Sequence, residues 1–250
     1  MIANMNRYNE SMKKSLLDKA FFVQHVNTDI YIDFGCADGT LLEFLNTLNG
    51  TPRYIGYDIS QEMIDIAKDN NSNVEYCCDT LHHFKKIIQG LKGTKTLILS
   101  SVIHEVYSYG TEESVKEFWD FVYSDIFDNI VIRDLMLDVS TQRKSDINDV
   151  LKVIHHPLLN EFQEIWGSVE NQKNLLHFLS KYRYTCNWKR EARENYYPIT
   201  RTELLKSIPT KYIIVMEGHY ALPFFKDIVK KDFDITIKDN THIKLIIRRK

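Results

Sequence analysis

The chain has 250 residues, of which 44% are apolar and 26% charged, and its formal net charge is −2. These values are typical of a globular protein with a sizeable core, and they exclude the overall basic character that drives binding to nucleic acid or membranes. The four cysteines, Cys36, Cys77, Cys78 and Cys186, form no CxxC pair, so neither a zinc ribbon nor a disulfide framework is indicated.

The ends and apolar runs of the chain suggest no targeting signal. Residues 1–14 lack the long apolar core of a signal peptide. No apolar run approaches the ~20 residues of a membrane span. We therefore expect a cytoplasmic protein with reduced thiols that does not bind membranes.

The first half of the chain alternates between the periodicities of strand and helix. An amphipathic helical segment is predicted over residues 8–26, with Met12, Leu16, Leu17, Phe21 and Phe22 on one face. Strands are predicted at 29–34, 54–59, 73–78, 96–103 and 129–137, and helices at 40–48, 61–70, 80–91 and 113–127. Apolar strands that alternate with amphipathic helices imply a parallel sheet covered by helices on both faces.

The pattern changes after residue 138. Residues 140–198 are polar, helix-prone and rich in Trp, Tyr and His, which indicates a helical insertion. Its apolar positions Leu158, Leu159, Phe162, Ile165 and Trp166 have helical spacing and are expected to pack on the core. Two further strands are predicted at 211–218 and 242–249, with a short helix near 222–231 between them.

The stretch IYIDFGCADGTLLEFL, residues 30–45, joins the first strand to the first helix of the sheet. A parallel sheet binds ligands at the carboxyl ends of its strands, and glycines there allow the backbone to turn tightly and approach a ligand. The dinucleotide motif G-x-G-x-x-G is not matched, because Ala37 and Thr40 stand where its glycines would be. The preceding Asp33 would repel a pyrophosphate but suits a cationic ligand with an ammonium and a sulfonium group, namely S-adenosylmethionine.

The pattern D-x-G-x-x-x-G at 33–39 resembles the first motif of the class I S-adenosylmethionine-dependent methyltransferases, with Ala37 where the family often has a third glycine. Three further strand ends resemble later motifs of the family in order and spacing. They are Gly56-Tyr57-Asp58, Cys78-Asp79-Thr80 and LILSSVIHEV at 97–106. The resemblance covers residues 29–137, and the closing pair of strands fits the family's antiparallel finish.

The resemblance implies a Rossmann-like, doubly wound α/β fold, with a mostly parallel seven-stranded sheet whose last strand is antiparallel. We expect a single methyltransferase domain over residues 1–250. Its expected parts are an N-terminal helical cap (1–28), a cofactor-binding core (29–139), a helical lid insertion (140–198), and a closing helix with the last two strands (199–250).

The same resemblance implies S-adenosyl-L-methionine as cofactor. In the family, the acid at Asp58 accepts the ribose hydroxyls, and the acid at Asp79 accepts the adenine amino group. The implied cofactor-binding residues are Asp33, Gly35, Cys36, Ala37, Gly39, Asp58, Ile59, Met63, Asp79, Thr80, Ser100 and Ser101. Structural alternatives stay open: the three acids suit helix caps, and Met63 suits a core position.

His104, Glu105 and Arg133 follow the fourth and fifth strands and are the candidate catalytic residues. His104 is open to three interpretations: a general base, a group that orients the acceptor, or a structural histidine. Arg133 lines the acceptor pocket or forms an ion pair with Asp134 at the strand end. Methyl transfer needs no metal, and no cluster of metal ligands is evident in the sequence.

The acceptor is the open question. The tract KYRYTCNWKREARENYY at 181–197 mixes basic and aromatic residues, which suits nucleic acid, although the solvated face of a helix has the same composition. Tyr107, Trp188 and Tyr196 are the predicted substrate contacts. We expect a small molecule with an oxygen or nitrogen nucleophile, enclosed by the lid; the alternatives are RNA or DNA, or a non-catalytic cofactor-binding subunit. The oligomeric state is left open.

Overall fold

The computed structural model describes residues 16–70 and 73–250. It contains a seven-stranded sheet in the order β3-β2-β1-β4-β5-β7-β6. The strands are β1 (Ile30–Phe34), β2 (Arg53–Tyr57), β3 (Glu75–Cys77), β4 (Lys95–Ser100), β5 (Asn129–Leu135), β6 (Tyr212–Tyr220) and β7 (His242–Arg249). Strand β7 is antiparallel to both of its neighbours, and the other pairings are parallel. The predicted sheet is therefore confirmed.

Helices connect the strands of the first half. They are α1 (Thr40–Leu48), α2 (Gln61–Asn70), α3 (Leu81–Gln89), α4 (Ile103–Tyr109) and α5 (Glu112–Val122). The helices after β5 are α6 (Ile147–Val153), α7 (Leu159–Trp166), α8 (Gln172–Lys181), α9 (Trp188–Glu191), α10 (Arg201–Ser207) and α11 (Pro223–Phe233). Of the predicted N-terminal helical segment, residues 16–19 are helical and 20–25 form turns, while residues 8–15 lie outside the described residues.

Side chains alternate along the buried strands and so build two apolar layers. On one face Ile30, Ile32 and Phe34 of β1 belong to a cluster with residues of α3 and α5. On the other face Tyr31 joins a cluster formed by α1, α2 and the segment around Phe22. Both faces of the sheet are covered, as the alternation of strands and helices predicted.

The helices between β5 and β6 have an apolar cluster of their own. Leu159 and Phe162 of α7 pack with Leu176 of α8, with Tyr197, and with Val229 of α11. The expectation that these helices pack on the sheet core was therefore wrong, because enough of their apolar residues face one another to bury a separate cluster. Among residues 16–70 and 73–250, none of the helices combines the length and hydropathy that a bilayer span needs.

Strand β4 ends earlier than predicted. The prediction extended the strand to residue 103, but it stops at Ser100, Ser101 has a φ of 60°, and α4 begins at Ile103. The carboxylate of Asp134 accepts a hydrogen bond from the Ile103 amide (2.7 Å), which fixes the first turn of α4. An apolar run cannot reveal this break, since Val102 and Ile103 are buried in either conformation.

Gly56 in β2 provides a test of the packing beneath the predicted cofactor turn. A Cβ at Gly56 would lie 2.7 Å from Cys36 Sγ and 2.7 Å from Tyr76 Cδ1, so Gly56→Ala should destabilise the fold by about 1–3 kcal/mol. Gly218→Ala in β6 is the matched control, because its Cβ would meet nothing closer than Lys244 Cβ at 4.0 Å. Urea unfolding of the two variants measures the difference. Equal stabilities would contradict the close packing.

Candidate active site

The turn after β1 is shaped by backbone conformations that favour glycine. Gly35, Ala37 and Gly39 have φ angles of 76°, 48° and 75°. The amides of Gly35 and Cys36 donate to the Tyr57 carbonyl at 2.7 and 3.0 Å, which ties the turn to the end of β2. A Cβ at Gly35 would lie 2.6 Å from Val102 Cγ2, so the turn also lies directly against the residue that precedes α4.

Asp33 ends β1 with a buried and poorly compensated carboxylate. The residue is 3% exposed, and no described residue donates a hydrogen bond to its side chain. Burial raises the pKa of Asp33 to about 7; the ammonium of Lys19 acts against this shift, and the nearby Asp58 adds to it. A buried carboxylate without donors is costly. It suits a site that a cationic ligand completes.

Asp58 follows β2 and holds two backbone segments together. Its Oδ2 accepts from the Ala37 amide (2.9 Å) and its Oδ1 accepts from the Ser60 amide (2.9 Å), so one carboxylate joins the glycine turn to the start of α2. The side chain is only half-buried, which leaves it open to a ligand. The next residue, Ile59, is 84% exposed, and Met63 is half-buried one turn into α2.

The third predicted pair, Asp79 and Thr80, lies at the start of α3. The Thr80 hydroxyl accepts from the His83 amide (3.2 Å) and so caps the helix. The Asp79 carboxylate accepts from the Thr80 amide (2.6 Å) and pairs with His83 Nδ1 (2.5 Å). The helix-start role that was left open for Asp79 is thus visible, and its side chain remains partly exposed.

Ser100, Ser101 and Arg133 meet where β4 and β5 end. The Ser100 hydroxyl is buried and has no hydrogen-bond partner among the described residues. The Arg133 guanidinium donates to Ser101 Oγ (3.0 Å) and to Asp18 Oδ2 (2.9 Å). Asp18 also pairs with Lys244 (2.6 Å), so Arg133 belongs to a buried ion cluster with the N-terminal segment. The ion-pair partner of Arg133 is therefore Asp18 and not the adjacent Asp134.

His104 lies between two carboxylates under the helices that follow β5. Its Nδ1 is 2.6 Å from Asp134 Oδ1 and its Nε2 is 3.1 Å from Glu194 Oε1, and all three residues are buried. Burial by itself lowers the pKa of His104, but the two carboxylates outweigh it and raise the pKa to about 10. With both ring nitrogens engaged, His104 has no free lone pair with which to act as a base in this arrangement.

Glu194 is the residue of this candidate site that the sequence analysis missed, because it lies 90 positions after His104 in the chain and no local motif marks it. Its carboxylate accepts from the Tyr109 hydroxyl (3.1 Å) and lies 3.7 Å from Arg190 Nε. Arg190 also lies 3.4 Å from Glu105, which is the more exposed acid of the group. Asp134 was noticed only as a partner for Arg133, since sequence adjacency gave no sign that it bonds to His104.

The three predicted substrate contacts have different positions. The Tyr196 ring lies 5.6 Å from the His104 ring, edge to face, so it borders the site. Trp188 is buried in the apolar cluster of the inserted helices, and its indole nitrogen donates to Glu161 (2.8 Å). The Tyr107 hydroxyl accepts from Trp119 Nε1 (3.0 Å), against α5. Neither Trp188 nor Tyr107 is brought to the strand ends, so their substrate roles stay predictions without support from position.

The arrangement at the strand ends fits S-adenosylmethionine. It offers a tight turn of main chain, a buried carboxylate without donors for a cationic group, a half-buried second acid with an exposed apolar neighbour, and the unpartnered hydroxyl of Ser100. Together with a parallel sheet that ends in one antiparallel strand, these features define the class I methyltransferase fold.

Comparisons with known proteins agree with this class. Residues 32–123 match the family model described as a methyltransferase domain. The solved structure of the MccD protein has a TM-score of 0.50 and 12% identity, covering 94% of this chain and 96% of that one. The plantazolicin methyltransferase BpumL, solved with a monoazolic desmethylPZN analog and SAH, has a TM-score of 0.50 and 13% identity, covering 99% and 88%. No curated protein sequence matches this chain.

The matched segment contains the residues on which the sequence resemblance rests: Asp33 with the glycine turn that follows it, Asp58, Asp79 and His104. Residues 32–123 therefore form a methyltransferase domain, and the strand order is that of the Rossmann-like methyltransferase fold. The structural likeness, at identities this low, establishes the fold. The acceptor has to be argued from the site itself.

The variant Asp33→Asn is expected to lower the affinity for the cofactor and to raise the stability of the fold. We expect the affinity for S-adenosylmethionine to fall roughly ten- to hundredfold, because a hydrogen bond to a charged group contributes about 1.5–3 kcal/mol. The folded-state pKa of Asp33 is raised to about 7, so its ionisation weakens the fold progressively between about pH 4 and pH 7. The variant should therefore melt at a higher temperature than the parent at pH 8, with a smaller gain at pH 5.

Calorimetric titration and thermal melts at the two pH values measure both effects. Asp69→Asn is the control, since Asp69 is an exposed carboxylate on α2. Unchanged cofactor affinity in Asp33→Asn would remove Asp33 from the binding site.

Proposed function

We propose that this enzyme methylates an oxygen or nitrogen nucleophile of a small-molecule acceptor, which binds between the strand ends and a helical lid formed by residues 140–198. The observation that carries the proposal is the contact between Glu194 of the lid and His104 at the end of β4, with 3.1 Å between Oε1 and Nε2. The lid is thus joined to the site by its own polar side chains. A site enclosed in this way excludes water and suits a compact acceptor.

We assign the cofactor to the glycine turn and the strand-end acids. The carboxylate of Asp33 would receive the ammonium group, the half-buried carboxylate of Asp58 the ribose hydroxyls, and the exposed side chain of Ile59 the adenine ring. Ser100 Oγ, which has no described partner, is available to the bound ligands. When bound, S-adenosylmethionine supplies an activated methyl group, and this assignment leaves the chain's own residues to hold and orient the acceptor.

His104 is assigned an orienting role. Asp134 accepts at one ring nitrogen and Glu194 lies at the other, so the ring is held rigidly at the strand end. Methyl transfer depends mainly on proximity and in-line orientation, which a fixed ring and a closed lid provide. Of the three interpretations open from the sequence, this geometry disfavours general-base catalysis; because both ring nitrogens are engaged, we assign the orienting role to contact with the ring and not to a hydrogen bond.

The tract 181–197 is poorly suited to nucleic acid. Four of its five aromatic side chains, Tyr182, Trp188, Tyr196 and Tyr197, are at most 7% exposed, and only Tyr184, at 47%, reaches the surface. Bases stack on aromatic rings that reach the surface, which these four rings do not. Of its cations, Lys181 is fully buried and Arg190 faces Glu105 and Glu194. These observations favour the small-molecule acceptor over RNA or DNA.

The acceptor class is tested with methyl-labelled S-adenosylmethionine and a cell extract divided into metabolite, nucleic-acid and protein fractions. We expect the label in the metabolite fraction, with transfer that changes little between 50 and 200 mM salt, whereas binding to nucleic acid at several phosphates weakens by about three orders of magnitude or more over that range. Label in nuclease-sensitive or protease-sensitive material would overturn the small-molecule assignment. Cofactor binding without label in any fraction would favour the non-catalytic alternative.

The role of the lid contact is tested by Glu194→Gln. The amide keeps the shape of the side chain but removes the charge that holds His104, so turnover should fall roughly ten- to hundredfold while cofactor affinity stays within about twofold. Glu164→Gln is the matched control, because Glu164 is exposed on α7 of the same lid. Full activity in Glu194→Gln would show that the contact between lid and strand end does not contribute to methyl transfer.

A further inference from the structure

We propose that His104, Glu105 and Glu194 form a binding site for one divalent transition-metal ion. Each residue offers one ligand atom, and these atoms all lie within 4.8 Å of one another. The three side chains come from α4 and from the segment after α9, so the site forms only when the lid lies on the strand ends. The sequence analysis expected no metal, because methyl transfer needs none and no cluster of ligands is evident in the sequence.

The hydrogen bond to Asp134 prepares His104 to act as a ligand. Asp134 Oδ1 lies 2.6 Å from His104 Nδ1, and the carboxylate is itself fixed by the Ile103 and Leu135 amides, both at 2.7 Å. Metal-binding histidines commonly donate one ring N–H to a carboxylate, which sets the tautomer and directs the other nitrogen to the ion. Here the other nitrogen, Nε2, is the one that faces Glu194, and a bound ion would replace the proton that Nε2 shares with that carboxylate.

The donor set fits a borderline ion such as Mn²⁺ or Zn²⁺. One imidazole nitrogen and two carboxylates mix the ligand types preferred by these metals, and three protein ligands leave coordination positions open, as in catalytic sites. Metal–ligand bonds of about 2.0–2.2 Å place neighbouring ligand atoms about 3 Å apart, which His104 Nε2 and Glu194 Oε1 already are at 3.1 Å, so Glu105 has to move closer to complete the set. Glu105 is the side chain free to make that movement, since it is 44% exposed while Glu194 is 4% exposed.

In this structure the positive charge beside Glu105 and Glu194 is the guanidinium of Arg190. Its guanidinium lies 3.4 Å from Glu105 and 3.7 Å from Glu194, distances longer than those of a close ion pair, and its side chain is 51% exposed. A divalent ion between the same acids would compete with the guanidinium for them. Replacing Arg190 should therefore strengthen metal binding, whereas replacing Glu194 should weaken it.

The test is calorimetric titration of the full chain with MnCl₂, with neither S-adenosylmethionine nor an acceptor present. We expect one Mn²⁺ per chain, an affinity at least about tenfold lower in Glu194→Gln, and a severalfold higher affinity in Arg190→Gln. Glu164→Gln should bind Mn²⁺ as the parent does. A gain in Arg190→Gln cannot result from misfolding, so this variant keeps the test informative if Glu194→Gln is unstable.

Two results would overturn the proposal. One is the absence of Mn²⁺ binding in both the parent and Arg190→Gln at millimolar metal. The other is Mn²⁺ binding that Glu194→Gln and Arg190→Gln leave unchanged. Because the titration involves no methyl transfer, failure of this proposal leaves the proposed acceptor class standing, and failure to find an acceptor leaves the metal result interpretable.

Discussion

The carboxylate of Asp134 is the interaction on which the site depends. It is fully buried at the end of β5, and it accepts from its neighbour's amide, from the first amide of α4 and from the His104 ring. One side chain thereby sets where β4 stops, where α4 begins and how His104 is turned. The buried charge is tolerated because two amides and an imidazole surround it, which lowers its pKa in spite of the desolvation.

Asp33, two strands away in β1, shows the opposite balance. Its carboxylate is as deeply buried but has no described hydrogen-bond donor, and its pKa is raised. A fold selected for stability alone would not keep such a group at the end of a central strand. The two acids thus differ: the protein's own donors satisfy Asp134, which fixes the start of α4 and the His104 ring, while no described residue donates to Asp33.

The sequence predicted the sheet and the first half of the site because both rest on local patterns. Apolar runs locate the strands, and Asp33, Gly35 and Asp58 lie at strand ends by spacing alone. The remaining half depends on contacts between distant segments. His104 meets Glu194 across 90 residues and Arg133 meets Asp18 across 115, and no periodicity encodes either meeting. Strand ends were also less predictable than strands, since the break after Ser100 is made by Asp134.

The tract 181–197 shows why composition alone left the environment of its side chains open. Lys181 is fully buried, yet its ammonium donates to the Glu191 and Glu194 carbonyls (2.7 and 2.6 Å) and lies 4.6 Å from the Tyr196 ring centroid. The buried ammonium of Lys181 is stabilised because a ring face and two carbonyls replace the water that it loses. Lys181 also holds the backbone of Glu194, so the buried part of this tract helps to fix the carboxylate that contacts His104. The mixture that suggests a nucleic-acid surface is thus, in this fold, what positions an acid in the site.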